Sequence, residues 1–92
     1  MSSISVFVFS SKTCEPCKHI KPVWTELKED YSEYNWHLVD INDDASGYAK
    51  YFNVSSIPSM VVIKDEALFG GHKGSQAMGY LSLLKRVSQQ LR

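Results

Sequence analysis

Apolar and polar positions alternate along this chain in blocks whose periods differ, and the blocks predict the elements. Ile4 to Phe9 is apolar at nearly every position and rich in β-branched and aromatic residues, as in a strand covered on both faces. Ser10, Ser11 and Thr13 break it. From Pro16 onward Ile20, Val23, Trp24, Leu27 and Tyr31 recur at helical spacing, with Lys18, Lys21, Lys28 and Glu29 between them. Pro22 lies inside that helix and should kink it, because it removes a donor and crowds the preceding turn. Trp36 to Ile41 predicts a second strand, closed by Asn42, Asp43 and Asp44. A short helix comes next, capped by Asp43 or Asp44, with Ala45, Tyr48, Ala49 and Phe52 as its buried stripe. On that spacing Tyr51 also reads as mostly core-facing.

Met60 to Ile63 predicts a third strand, entered through Ile57-Pro58. Lys64-Asp65-Glu66 turns it into a fourth over Ala67 to Phe69, weakly specified because Gly70 and Gly71 come directly after. Gly74 and Ser75 open a last helix with Met78, Leu81, Leu84, Val87 and Leu91 on one face. The order is β-α-β-α-β-β-α. Strand–helix–strand implies a parallel crossover, and the tight third-to-fourth connection implies an antiparallel hairpin. The expected fold is α/β, a four-stranded mixed sheet with helices on both faces. With 92 residues and no repeat or linker, positions 1–92 read as one domain.

Composition narrows the function classes. The chain is 43% hydrophobic and 22% charged, which is globular rather than disordered. Ten Lys+Arg balance ten Asp+Glu, so no net charge draws it to nucleic acid or to an anionic membrane. The apolar run Val6 to Phe9 is far short of a membrane span. Met1 to Ile4 has no basic residue and no cleavage-like site, so a cytoplasmic protein is expected. No Gly-rich phosphate loop is present, and Gly70-Gly71 lacks the pattern that would make one, so no bound cofactor is expected.

Two cysteines cannot staple a domain of this size, but their spacing carries chemistry. Cys14-Glu15-Pro16-Cys17 stands where the first strand hands over to the first helix. Unpaired N–H groups and the positive end of the dipole there stabilise a thiolate, the form that attacks disulfides. Spacing of three at a helix start also lets the two sulfurs meet. Cys14 would be the exposed, attacking thiol and Cys17, one turn in, the resolving one. Pro16 fits the first turn, where a missing N–H costs nothing. Zinc is the competing use of such a pair. It needs four ligands, and His19, His37 and His72 show no paired spacing, so no metal site is expected.

The chain resembles the thioredoxin family over roughly residues 4 to 90. Phe9 to Lys18, with its Cys-Glu-Pro-Cys, is similar to the family's Phe-x-Ala-x-x-Cys-Gly-Pro-Cys-Lys, and Pro22 matches its helix-kinking proline. Val39-Asp40-Ile41 resembles a Val-Asp-Val strand end, and Lys50 to Ser59 resembles Lys-Tyr-x-Val-x-Ser-Ile-Pro-Thr. Gly74 falls where the family keeps a groove glycine. The resemblance implies a minimal thioredoxin fold in which Pro58 is cis and faces the dithiol. Ile57, Pro58 and Gly74 would then bind an extended substrate segment, Ile57 through its backbone. Glu15, Pro16 and Lys18 would support the active site.

Several positions depart from the family pattern. Thirteen residues precede Cys14, too few for the family's extra N-terminal strand and helix, which are expected to be missing. Val8 stands where a buried Asp is usual, and Leu38 where its lysine partner is usual. The proton acceptor behind Cys17 is therefore missing, and His19, two positions along the helix, points elsewhere. Thr13 and Ser10 replace tryptophans, making the docking surface less aromatic. Glu15 replaces a glycine and should disfavour the Cys14 thiolate, opposed by Lys12 and Lys18.

These residues together predict a thiol–disulfide oxidoreductase, a monomer reducing protein disulfides, and the resemblance implies that an upstream reductase of the thioredoxin-reductase kind recharges it. Two alternatives stand beside it. One is a glutaredoxin-like protein or hydrogen donor to ribonucleotide reductase, favoured by length and by Gly70-Gly71 but lacking Thr-Val-Pro and the acidic pair. The other is a redox-inert binding module built on the same fold.

Overall fold

A computed structural model describes residues 3–89. Its elements are β1 (Ile4–Ser10), α1 (Glu15–Asp30), β2 (Asn35–Asp40), α2 (Tyr48–Tyr51), β3 (Ser59–Lys64), β4 (Ala67–Lys73) and α3 (Ala77–Gln89). The sheet runs β2-β1-β3-β4, with β1 parallel to β2 and antiparallel to β3, and β3 antiparallel to β4. This is the mixed four-stranded sheet the pattern predicts. None of the described helices is long and apolar enough to cross a membrane.

β1 is interior to the sheet, so alternation along it feeds two cores. Val6 and Val8 join Ile20, Trp24 and Leu27 of α1 and Tyr80, Leu83 and Leu84 of α3 on one face. Phe7 and Phe9 point to the other, where Val39, Tyr48 and Phe52 meet them. Phe7 lies 4.8 Å from the Tyr48 ring and 4.9 Å from that of Phe52. Helices therefore cover both faces, as expected. α1 runs unbroken through Pro22 for sixteen residues.

Four expectations need correction. α2 is only one turn long and is entered through Gly47 at φ +70°, so Ala45 lies outside it and is exposed. Asp44 does cap its start, its carboxylate accepting from the N–H of Tyr48 (3.1 Å) and Ala49 (2.8 Å). Tyr51 is 81% exposed rather than core-facing, because one turn of helix brings only Tyr48 and Ala49 onto the sheet. β4 does not fade at Gly70-Gly71 but continues to Lys73, with a register shift opposite Val62/Ile63. The glycines serve close approach: a Cβ on Gly71 would sit 3.0 Å from the Met60 carbonyl oxygen, and one on Gly70 3.2 Å from Leu83 Cδ1.

The fourth correction concerns α3. Its buried face is Tyr80, Leu83, Leu84 and Val87, whereas Met78 and Leu81 are 69% and 40% exposed. The helix starts at Ala77, and the face is set by Tyr80, which the aliphatic pattern leaves out; Leu91 lies outside the described residues. The β3–β4 turn places Asp65 at φ +51° and Glu66 at φ +70°. Asp65 also exchanges hydrogen bonds with Ser3, its N–H reaching the Ser3 carbonyl at 2.8 Å and its carboxylate taking the Ser3 N–H at 2.8 Å.

Candidate active site

The first helix begins at a sulfur. Cys14 is the N-cap of α1, in extended conformation at φ −89° and ψ 110°, and its Sγ accepts the Cys17 N–H at 3.2 Å. An N-cap side chain satisfies a donor that the first turn leaves orphaned, and here that side chain carries the sulfur itself. Cys14 and Cys17 form a disulfide with their Cα atoms 5.2 Å apart. Cys17 is fully buried and Cys14 half-buried, the order of access expected for attacking and resolving thiols. Pro16 occupies the first turn, as expected. Glu15 pairs with Lys18 at 3.1 Å, both side chains well exposed, so the two charges that bear oppositely on Cys14 partly cancel.

The turn that carries Cys14 is fastened by a hydroxyl. Ser11 Oγ, in a residue 4% exposed, accepts from the Thr13 N–H (3.3 Å) and from Asn42 Nδ2 (3.0 Å), and shares a hydrogen bond with Thr13 Oγ1 (3.1 Å). The Ser11 carbonyl in turn takes the Cys14 N–H at 3.3 Å, and the Ile41 N–H donates to the Ser10 carbonyl at 3.0 Å. The loop after β2 thus braces the loop after β1. The sequence pattern marks Ser11 and Asn42 only as strand ends, and nothing in it signals the hydrogen bond between them.

The second wall comes from the start of β3. Ile57–Pro58 is cis, and Pro58 is buried. Phe9 pairs with Ser59, so Pro58 stands at the same end of the sheet as the loop leading to Cys14, one strand over. The Pro58 carbonyl accepts the Gly74 N–H at 2.8 Å, and Gly74 adopts φ +108°, a conformation that favours glycine. The structure therefore joins Pro58 to Gly74 directly. Tyr80 adds a hydroxyl beneath both, 2.5 Å from the Gly74 carbonyl and 3.2 Å from that of Pro58. Burial pushes the Tyr80 phenol up to about 12.

Other singled-out residues lie apart. Val8 is 1% exposed in the α1/α3 core, Leu38 is 66% exposed on β2, and His19 is exposed on α1. His37 stacks on Phe7 with ring centroids 4.4 Å apart, and His72 packs edge-on to Tyr80 at 4.7 Å, so the three histidines do not converge. No cluster of three or more metal-ligating side chains occurs among the described residues.

With that geometry in place, comparison with known proteins decides the family. The Thioredoxin family model matches residues 1–85. The chain belongs to the thioredoxin family. It is similar to mitochondrial thioredoxins O1 and O2 of Arabidopsis thaliana, at 32% and 35% identity over 95% of this chain and 43% and 53% of theirs. A thioredoxin of Staphylococcus saprophyticus is 40% identical over 70% of this chain and 62% of its own. Among solved structures, Arabidopsis thioredoxin O2 in its oxidised state superposes with a TM-score of 0.80 at 29% identity, over 91% of this chain and 74% of that one. Mitochondrial thioredoxin 3 of Saccharomyces cerevisiae gives 0.82 at 27%, over 91% and 78%. The chain spans about half the length of the Arabidopsis relatives it matches.

Proposed function

We propose that this thioredoxin-family chain is a thiol–disulfide oxidoreductase that reduces protein disulfides. The observation that carries the reading is Cys14 at the N-cap of α1, accepting the Cys17 N–H and bonded to Cys17. In the reduced protein the Cys14 thiolate attacks a substrate disulfide, forming a mixed disulfide and releasing the first substrate sulfur as a thiolate that takes a proton. Cys17 then loses its proton and attacks Cys14 Sγ, closing the Cys14–Cys17 disulfide and freeing the second substrate thiol. Two electrons have passed to the substrate, and an upstream dithiol reductase restores them. In this reading Ile57, Pro58 and Gly74 receive the substrate segment, Ile57 through its backbone, while Pro16 and the Glu15–Lys18 pair shape the first turn. Val8 supplies no acid or base, and the proton that Cys17 gives up is the one the departing substrate thiolate takes.

The partners in this reading are disulfide-bearing proteins and a thioredoxin-reductase-like enzyme, with the chain acting as a monomer in a reducing compartment. We place the chain in the cytoplasm, and relatives named as mitochondrial make fractionation of the tagged protein the direct check.

Insulin reduction with dithiothreitol as electron source tests the activity, alongside Cys14→Ser and Cys17→Ser variants. The expected result is turnover by the parent, none by Cys14→Ser, and a trapped mixed disulfide with Cys17→Ser. A midpoint potential near or below about −250 mV supports a reductant of the thioredoxin kind, whereas about −200 mV or above moves the chain toward glutathione-coupled exchange. Full biological activity in Cys14→Ser would leave the binding module in its place.

A further inference from the structure

We propose that Tyr80 is a positioning residue for substrate docking: its hydroxyl locks the backbone of the Pro58–Gly74 groove in the shape that receives a disulfide segment. The inference rests on the oxidoreductase reading and adds a residue to it.

Tyr80 is fully buried in α3, and its ring does the packing that any large apolar residue could do there. It meets Trp24 of α1 edge-on at 5.7 Å and His72 of β4 edge-on at 4.7 Å. Gly79 makes room for the second contact, since a Cβ there would run into the His72 imidazole. The hydroxyl adds something packing does not require. A phenol has one proton to give, and the Gly74 carbonyl at 2.5 Å takes it, with the Pro58 carbonyl as second acceptor at 3.2 Å. Because the Gly74 N–H already reaches the Pro58 carbonyl at 2.8 Å, the three residues close a ring of hydrogen bonds.

That ring fixes the two backbone segments of the groove against each other and against α3. Gly74 carries no side chain and sits at φ +108°, so its neighbours along the chain constrain it weakly. Without the hydroxyl its carbonyl loses the hydrogen bond that ties it to α3. Groups that bind through backbone gain most from being held in place beforehand, because ordering them on docking costs affinity. The hydroxyl hydrogen-bonds to the groove, not to the dithiol, whose own anchors are Ser11 and the α1 N-cap. Its loss should therefore appear in recognition and not in sulfur chemistry.

The test is Tyr80→Phe, which keeps the ring and removes the hydroxyl, assayed on insulin and on 5,5′-dithiobis(2-nitrobenzoate), a disulfide with no peptide backbone to dock. The expected outcome is a KM for insulin raised roughly 3- to 10-fold, the range of one ordinary hydrogen bond. The kcat, the rate with the small disulfide and the midpoint potential should stay within about twofold or unchanged. Equal losses on both substrates, a shifted potential or an unchanged KM would each overturn the proposal. Amide exchange at Gly74 reads the lock without turnover: slow exchange in the parent, and at least tenfold faster exchange in Tyr80→Phe if that variant folds. A Gly74 amide in the parent that exchanges as freely as an exposed loop would also overturn it. Should the parent fail to reduce insulin, the oxidoreductase reading falls, while the exchange measurement still judges the lock.

Discussion

The two faces of the sheet are built from the same strands yet closed to different degrees. On one, α1 and α3 lay sixteen and thirteen residues of amphipathic helix over Val6, Val8 and Val62, and the covering side chains are nearly all buried. On the other, a four-residue helix covers Phe7 and Phe9, and an open trough of about 780 Å³ runs between Phe52, Val61, Ile63 and Leu68. Tyr51 and Leu68 remain 81% and 69% exposed beside it. The strands offer apolar side chains to both sides, but the length of covering helix differs. Strand pattern alone thus specifies two apolar faces, and helix length decides how completely each becomes core.

Truncating one leucine on each face should separate the two most clearly. Leu84→Ala, on the closed face, should cost about 2–5 kcal/mol by urea unfolding, whereas Leu68→Ala on the open face should stay within about 0.5 kcal/mol. Equal costs would mean that the trough is closed in solution. Next in size is the alkaline limb of stability, also a property of the closed face. Tyr80 holds its proton more tightly folded, at about 12, than unfolded, near 10. Its contribution is therefore complete below pH 10 and lost as pH rises from 10 through 12, a fall of about 2–3 kcal/mol. Tyr80→Phe should lack that part of the decline; identical pH profiles for the two proteins would refute the assignment.

On the open face, Asp44→Ala removes the carboxylate that two α2 amides depend on. A loss of about 1 kcal/mol is expected, with early amide exchange confined to residues 48–52. The smallest effect has the opposite sign. Glu66 sits at φ +70° in the β3–β4 turn, where glycine is at ease, so Glu66→Gly should stabilise by up to about 1 kcal/mol in thermal unfolding. A destabilised variant would show that the Glu66 side chain has a role beyond its backbone.

How far the sequence could be read depends on the range of the interactions involved. The dithiol, its place at a helix start, the order of strands and helices and the cap at Asp44 were all legible. Each depends on interactions within a few residues: an N–H three positions on, a repeat of side chains, a carboxylate one turn away. Resemblance to a known family supplied the cis proline and pointed to Gly74, which no local pattern distinguishes.

Tertiary structure decided the rest. Gly70 and Gly71 look like a strand end until Met60 and Leu83 are seen pressed against them. Tyr51 and Tyr48 share a helical spacing, but a one-turn helix turns only one of them inward. Ser11 meets Asn42 across 31 positions of sequence, and Tyr80 meets Pro58 across 22. By itself the sequence determined which segments form and where the sulfurs stand, because backbone hydrogen bonds and side-chain period act over short range. Which hydroxyls brace the site was decided only when the sheet brought distant loops to one end, because a hydrogen bond depends on distance in space and leaves no period in the chain.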